Sequence, residues 1–349
     1  MRALLVLVAS LLSSGCFTTR YVAQAAHGEL ELMGRARPTS EVLADPDTSE
    51  RTAFLLEESR VILRFAKAAG LDSQGNYGKY VEIDRAQVVW FVTASRPLAF
   101  EPKIWRFPIA GSFPYLGWFE EDEARRFVAK LGAEGWDVRM RPVRAYSTGG
   151  WFPDPIVSTM LSTKDDAIGE LAGVLLHELV HANILVKNQA VFNESVASFV
   201  GDALTADYLV GRFGEGAREV IQYHAEQAVD QERGARMAHA YAELDALYRS
   251  KASDAEKRAG KERITAALQG DLRLARRPNN ADLQAFRTYN AGQDAFAALL
   301  TACGHSWPRF LSAVKSTPRG LFHEPHEKEL DAVIKALTPR CLPAPPHAG

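Results

Sequence analysis

Residues 173–184, with the sequence GVLLHELVHANI, constrain this chain more than any other segment. The segment is apolar enough to be a buried helix, yet it carries His177, Glu178 and His181 close together. Ionisable groups are seldom buried without a partner. The segment is therefore either a chance combination of residues or a helix whose ionisable side chains hold something.

The composition is that of an ordinary globular protein of 349 residues, with 47% hydrophobic and 24% charged residues. The formal net charge of −2 gives no electrostatic reason to expect a nucleic acid partner. The sequence contains no glycine-rich phosphate loop of a standard pattern, so we expect no nucleotide. These features favour an enzyme or binding protein that acts on another class of molecule.

The N-terminus has the features of a lipoprotein signal. Arg2 precedes an apolar run in residues 3–12, which has the length of a signal peptide rather than of a membrane span. Residues 13–16, SSGC, resemble a bacterial lipobox, in which the cysteine, here Cys16, carries a lipid. A plain secretory signal is the alternative. Since Phe17 rather than aspartate follows, we expect a cell-envelope lipoprotein of the outer membrane that faces the periplasm and is anchored to the membrane by its lipid.

The chain is predicted to be α+β. Residues 1–15 are assigned to the signal peptide, residues 16–164 to a mixed α/β lobe with a small sheet, and residues 165–349 to a mainly helical lobe. Runs of β-branched and aromatic residues at 80–96 and 137–148 predict strands in the first lobe. The site described below is expected to lie on the helical lobe.

The helical lobe includes a long charged segment, residues 215–277, which is interpreted as a helical hairpin broken near residues 249–254. Export would place Cys303 and Cys341 in an oxidising compartment. A disulfide between them is permitted there, and two unpaired buried thiols are the alternative.

His177 and His181 have the spacing of metal ligands on a helix. Because they are four residues apart, their rings project from the same side, about one turn apart. Both imidazoles can then reach one zinc ion at ~2.0–2.1 Å. Glu178 points about 100° round the helix, toward the open side of the metal. There it can act as the general base for a zinc-bound water.

A catalytic zinc site needs a third protein ligand, and Glu194 is the candidate. It lies thirteen residues after His181, in a predicted second helix that begins at Asn193. Ala197 and Gly201 share the face of Glu194 and would let this helix approach the first one closely. The alternative is an ordinary glutamate at a helix N-terminus, where the helix dipole favours it.

The H-E-x-x-H helix followed by N-E on a second helix resembles the gluzincin metallopeptidases. More narrowly, the chain is similar to a family of bacterial predicted aminopeptidases, which are often lipoproteins. The blocks that carry the similarity are residues 107–119, 145–161, 177–201 and 279–289. The resemblance implies a zincin-like fold with one zinc ion in the cleft between the lobes, a peptide as substrate and Glu178 as the general base. It implies zinc ligation by His177, His181 and Glu194.

Two departures from the relatives bear on the site. Ser198 lies where some gluzincins carry an acidic residue that supports the first histidine, so Asp202 is a candidate for that role; a solvent-facing aspartate is the alternative. The sequence lacks the G-x-M-E-N segment with which well-studied aminopeptidases hold the free amine of the substrate. Exo- and endopeptidase action therefore both stay open.

Tyr289 and residues 144–148 are predicted to have roles around the substrate. Tyr289 is predicted to donate a hydrogen bond to the developing oxyanion, and a core tyrosine with a satisfied hydroxyl is the alternative. Residues 144–148 are predicted to offer a sheet edge that pairs with an extended peptide. Residues 323–326, HEPH, are interpreted as a surface loop rather than a metal site.

The sequence thus predicts a zinc-dependent peptidase, with aminopeptidase action ahead of endopeptidase action. One alternative is a zinc hydrolase acting on an envelope amide that is not a polypeptide. Another is an envelope binding or scaffold protein that keeps the fold without turnover. Glu178 argues against the scaffold, because a protein without turnover has no need of a general base.

Overall fold

The computed structural model describes residues 2–107, 111–145, 153–164 and 166–341, with side chains from residue 17 onward. The structure is α+β, as predicted, and 61% helical. The helices are α1 (Arg2–Arg35), α2 (Thr39–Ala44), α3 (Glu50–Ala69), α4 (Glu121–Ala133), α5 (Ala167–Asn183), α6 (Ala190–Phe213), α7 (Arg218–Arg249), α8 (Asp254–Asp271), α9 (Asn280–Asn290), α10 (Gln293–Ala302), α11 (Trp307–Lys315) and α12 (Asp331–Lys335). The strands are β1 (Arg37–Pro38), β2 (Lys79–Val81), β3 (Val89–Ser95), β4 (Trp105–Phe107), β5 (Gly111–Phe113), β6 (Tyr115–Trp118), β7 (Asp137–Val143) and β8 (Ile156–Val157). Short 3₁₀ turns occur at Ser158–Met160, Arg319–Leu321 and Thr338–Arg340.

The strands form small separate sheets. The largest is antiparallel in the order β6-β3-β7; β1-β2-β8 and the β4-β5 hairpin are the others among the described residues. In the β6-β3-β7 sheet, Phe91 lies opposite Arg141, and Thr93 lies between Arg139 and Tyr115. Because successive side chains alternate between faces and paired residues share a face, these five side chains lie on one face of the sheet.

The opposite face of this sheet is covered by α4. Val92 and Leu116, which are paired across the strands, are buried there against Phe127 and Leu131 of α4. The apolar positions of α4 recur three to four residues apart, which places them on one stripe of the helix. The face that carries Arg139 and Arg141 is not covered by α4 and is turned toward the helical part of the chain.

The central helices α5 and α6 lie in the largest hydrophobic core, together with residues of α3, β2, β8 and α10–α12. Leu175, Leu176, Leu179 and Val180 of α5 are completely buried. They fix the helix on several sides, so the polar residues between them are held in place by packing. This core joins residues from both sides of residue 164.

The start of α6 differs from the prediction. The helix begins at Ala190, one turn before the predicted start at Asn193. The Asn193 side chain is used elsewhere: its Nδ2 donates to the Val186 carbonyl at 2.9 Å, and its Oδ1 accepts from the Val186 N–H at 2.9 Å. Asn193 therefore clamps the loop between α5 and α6 instead of capping the helix.

The charged hairpin is confirmed as α7 and α8, with the break at the predicted place. Ser253 begins α8 with a capping box: its hydroxyl accepts from the Glu256 N–H at 3.3 Å, and Glu256 Oε2 accepts from the Ser253 N–H at 2.7 Å. Two donors that the helix leaves free at its N-terminus are satisfied in this way.

Cys303 and Cys341 form a disulfide, the first of the two alternatives left by the sequence. Cys303 ends α10 and Cys341 follows the last 3₁₀ turn, so the bond ties the C-terminal segment to the largest core.

The N-terminal segment forms the first half of α1. Among the described residues, none of the helices combines the length and the apolar character needed to cross a bilayer. The Cys16 side chain lies outside the described residues, so lipid attachment stays a prediction.

Candidate metal centre

Helix α5 presents His177 and His181 from the same side, one turn apart. Their ring centroids are 5.0 Å apart and the ring planes are at 81°. The buried residues on both sides, Leu176 and Val180 among them, hold this register. The predicted pairing of the two imidazoles is therefore present in the fold.

Glu194 reaches the two histidines because α6 packs closely against α5. Gly201, two turns beyond Glu194, faces His177: a Cβ at Gly201 would lie 3.2 Å from the His177 Cβ and 3.3 Å from its Cα. Glycine thus permits an approach that a larger side chain would hinder. Gly201 therefore has the effect that the sequence predicts for a small residue on this face of α6.

The three side chains converge on one point. Glu194 Oε2 lies 3.5 Å from His177 Nε2 and 3.4 Å from His181 Nε2. The ligand atoms of all three residues lie within 4.8 Å of one another, and the group could hold a metal ion. Three donors bound tetrahedrally to one zinc ion at ~2.1 Å would lie about 3.4 Å apart. The separations and the N, N, O donor set fit that ion.

Strong electrostatic coupling joins Glu194 to His181 when no metal is present. Burial by itself lowers the pKa of His181, but the Glu194 carboxylate, together with a smaller contribution from Glu178, more than offsets this and raises that pKa to about 9. Burial likewise works against the charged form of Glu194, yet His181 and His177 hold the pKa of Glu194 far below its usual range. The cluster is therefore a pre-formed site for positive charge.

Glu178 lies beside the cluster without belonging to the three ligands. Burial raises the pKa of Glu178; His177 and His181 work against that rise, and Glu194 adds to it. Within the described residues, no hydrogen bond or ion pair occupies its carboxylate. A carboxylate with a raised pKa and no partner among the described residues, next to a candidate metal site, is suited to proton transfer.

Tyr115 contacts the cluster although the sequence did not single it out. Its hydroxyl donates to Glu194 Oε1 at 3.2 Å, so each oxygen of the carboxylate has a different contact. The Tyr115 ring stacks on Phe91 with centroids 4.9 Å apart. The pairing of β3 with β6 brings Tyr115 to Glu194, and this long-range contact could not be inferred from the motif.

Tyr289 lies beside the first histidine of the cluster. Its ring centroid is 6.3 Å from that of His177, and its oxygen accepts a hydrogen bond from Arg141 Nη2 at 2.7 Å. Because an arginine only donates, the hydroxyl hydrogen of Tyr289 stays free for another acceptor. Burial raises the pKa of Tyr289 above its ordinary value, so the hydroxyl keeps its proton.

The remaining predicted positions are less closely involved. Asp202 is exposed, and among the described residues it has no hydrogen bond to His177. Desolvation by the surrounding protein nevertheless raises the pKa of Asp202 to about 6, and the nearby His177 works against that rise. In the HEPH segment, the surface-loop interpretation holds for His323 but is wrong for His326, which is buried and accepts a hydrogen bond from the Ala190 N–H at 3.2 Å. In the predicted sheet edge, β7 ends at Val143 and residues 146–148 lie outside the described part of the chain.

The protein is α+β, and two histidines and a glutamate converge from two packed helices. This arrangement defines a candidate metalloprotein with a site for one metal ion. The chain belongs to the family described as "Putative aminopeptidase", whose model matches residues 20–329. This confirms the relationship to an aminopeptidase family that the sequence blocks predicted. Searches of curated proteins and of solved structures found no match.

Proposed function

We propose that the protein is a zinc-dependent aminopeptidase with a zincin-like arrangement of its site. The observation that carries this proposal is the convergence of His177, His181 and Glu194 at separations suited to one zinc ion. The family to which the chain belongs supports peptide bonds as the target.

The donor set supports zinc in particular. Two imidazole nitrogens and one carboxylate oxygen are among the ligand sets of catalytic zinc sites, which keep a fourth position open. When bound, the zinc would polarise the scissile carbonyl and lower the pKa of the attacking water.

The side chains around that position have separate tasks. Glu178 accepts the proton of the attacking water and returns it to the leaving amine, for which its raised pKa is suited. Tyr289 offers its free hydroxyl hydrogen to the oxygen on which negative charge develops. Tyr115 orients the Glu194 carboxylate through its other oxygen.

The test compares wild-type protein with the variant Glu178→Gln on peptides with free and with blocked N-termini. We expect the wild type to cleave the free peptides and the variant to keep its zinc while kcat falls about 100- to 10,000-fold. Glu170→Gln is the matched control, because Glu170 lies on the same helix in an ion pair with Lys164 at the surface (Oε1–Nζ 2.8 Å) and away from the cluster.

Each outcome has a defined meaning. If peptides with blocked N-termini were cleaved as fast as those with free N-termini, the proposed aminopeptidase activity would be wrong and the protein would be an endopeptidase. Zinc binding without cleavage of any peptide would overturn the peptidase and favour an envelope amide or a scaffold role. Parental activity in the Glu178 variant would overturn the mechanism.

A further inference from the structure

A pocket opens beside the metal centre, between α9 and the face of the β6-β3-β7 sheet that α4 leaves free. Its volume is about 50 Å³, several times the ~10–15 Å³ that one water molecule requires. Tyr115 and Tyr289 are part of its wall. Since the Tyr115 hydroxyl donates to Glu194 Oε1 at 3.2 Å, a group in the pocket lies close to the candidate metal ligands.

The charged groups of this pocket are basic. Arg139, Arg141 and Lys328 line it, and among the described residues no aspartate or glutamate does. Arg139 Nε has an ion pair with Asp282 Oδ1 at 3.2 Å, and Lys328 Nζ donates to the Phe100 carbonyl at 2.8 Å. Among the described residues, Arg139 is therefore paired with a carboxylate, whereas Lys328 is bound to a neutral carbonyl.

Arg141 is held differently from Arg139, because its hydrogen bond and ring contacts among the described residues are with neutral groups. Its Nη2 donates to the Tyr289 oxygen at 2.7 Å, and its Cζ lies 5.2 Å from the Phe91 ring centroid and 5.3 Å from that of Tyr289. It forms no ion pair with any described residue. Burial and the nearby Arg141 charge both lower the pKa of Arg139, as expected where two like charges lie together.

The contacts of Arg141 hold its guanidinium in place without neutralising it. An arginine has five N–H donors, and one of them is used here. A half-buried positive charge without an ion pair among the described residues is stabilised by a negative partner, and the open pocket provides the space for one.

We propose that this pocket is a subsite for a carboxylate of the peptide substrate, with Arg141 as its main partner; the inference rests on the proposed peptidase function. The guanidinium fork matches a planar carboxylate and can form two parallel charge-assisted hydrogen bonds with it. Through its contact with Tyr289, Arg141 places that carboxylate next to the reacting peptide bond. The carboxylate comes either from the C-terminus of a short peptide or from an aspartate or glutamate side chain.

Matched peptides distinguish these two sources. One pair differs only in a free or an amidated C-terminus, and further pairs carry glutamate or glutamine at the residues flanking the scissile bond. We expect kcat/KM of the wild type to be about 10- to 100-fold higher for the charged member of one pair, as a hydrogen-bonded charge pair implies. The pair that shows the preference identifies the source.

Variants test whether Arg141 causes the preference. Arg141→Gln keeps a donor for Tyr289 but removes the charge, and we expect it to abolish most of the preference. Lys328→Gln should reduce the preference less. Arg125→Gln, on the surface of α4 beside Glu121, removes the same charge away from the pocket and should leave the preference unchanged. A wild type without any preference, or a preference that survives in Arg141→Gln, overturns the subsite.

Equilibrium binding separates this inference from the proposed function. Calorimetry with the zinc-loaded Glu178→Gln protein measures the affinity for the same peptide pairs without turnover, with and without Arg141→Gln. If the wild type cleaves no peptide but the Glu178→Gln protein binds the charged peptides more tightly, and this difference is lost with Arg141→Gln, the peptidase proposal fails and the subsite stands. If peptides are cleaved and bound without discrimination, the subsite fails and the peptidase stands.

Discussion

A Cβ placed on Gly201 would lie 3.2 Å from the Cβ of His177. This contact between α6 and α5 sets the distance between the two helices at the level of the candidate metal ligands. The histidines lie on one helix and Glu194 on the other, so the width of the site depends on a residue that has no donor atom of its own.

The substitution Gly201→Ala tests this dependence. The added methyl group lies tight against the His177 backbone, and overpacking of this kind costs about 1–3 kcal/mol. The gain in helix propensity from glycine to alanine offsets up to about 1 kcal/mol of that cost. We also expect weaker zinc binding, because His177 and Glu194 move apart. Chemical denaturation and zinc titration measure the two effects.

Gly211→Ala is the control for the same helix. Nothing lies within 4 Å of a Cβ at that position, so alanine is expected to be neutral or to stabilise the helix by up to about 1 kcal/mol. Equal zinc affinity in Gly201→Ala and wild type would show that helix spacing does not determine the site.

Tyr115→Phe and Tyr289→Phe are expected to affect different steps. Without the Tyr115 hydroxyl the Glu194 carboxylate loses its orienting hydrogen bond, and zinc affinity should fall about 10- to 100-fold. Without the Tyr289 hydroxyl zinc affinity should be unchanged, while kcat falls about 100- to 1,000-fold. Zinc titration and steady-state kinetics separate these effects. Parental turnover in Tyr289→Phe would return that residue to a structural role.

The stability of the protein stripped of metal should depend on pH through His181. Its pKa is raised from 6.5 to about 9 in the folded state, where Glu194, with a smaller contribution from Glu178, more than offsets the effect of burial. The stabilising contribution of the charged pair is therefore fully present below about 6.5 and is lost as the pH rises through about 9. The depressed pKa of Glu194 keeps its carboxylate charged throughout this range.

Chemical denaturation at a series of pH values between 6 and 10 measures this loss. Glu194→Gln is the control, because removing the carboxylate charge abolishes the rise in the pKa of His181. Zinc must displace the same proton, so zinc affinity should increase up to about tenfold per pH unit below about pH 9. Identical pH dependence of stability in wild type and Glu194→Gln would contradict the coupling.

The disulfide is expected to contribute substantially to stability. It joins cysteines 38 residues apart in the sequence, and closing a loop of that length reduces the entropy of the unfolded chain by an amount worth about 4 kcal/mol. We expect the double variant Cys303→Ala/Cys341→Ala to be less stable by about that amount, and reductant to destabilise the wild type but not the variant. Equal unfolding midpoints for wild type and variant would contradict this.

Local patterns in the sequence were sufficient to predict the three candidate metal ligands. The four-residue spacing of His177 and His181 is fixed by helix periodicity alone, and the structure places the two rings together. The prediction of Glu194 as a ligand also used the small residues Ala197 and Gly201, because small side chains on that face allow a neighbouring helix to approach closely. The structure shows this close approach at Gly201. These two signals were enough because the two helices are consecutive in the chain.

The rest of the site depends on contacts between distant parts of the sequence. Tyr115 and Arg141 reach the site through pairing of β3 with β6 and β7, a register that motif spacing does not determine. The predicted helix start at Asn193 was wrong because a tertiary contact with Val186 uses its side chain. Composition predicts a surface loop at residues 323–326; the segment is a loop, but contacts with distant residues such as Ala190 bury His326.

Zinc titration of the stripped full-length protein tests the central claim most directly, with wild type compared with Glu194→Ala and with His224→Ala, a change of an exposed histidine on α7. We expect one zinc ion per chain in the wild type and in the His224 variant. In Glu194→Ala affinity should fall by at least about 100-fold, because loss of a supporting contact alone typically costs 10- to 100-fold. Tight binding of one zinc by Glu194→Ala, or none by the wild type, would contradict the account.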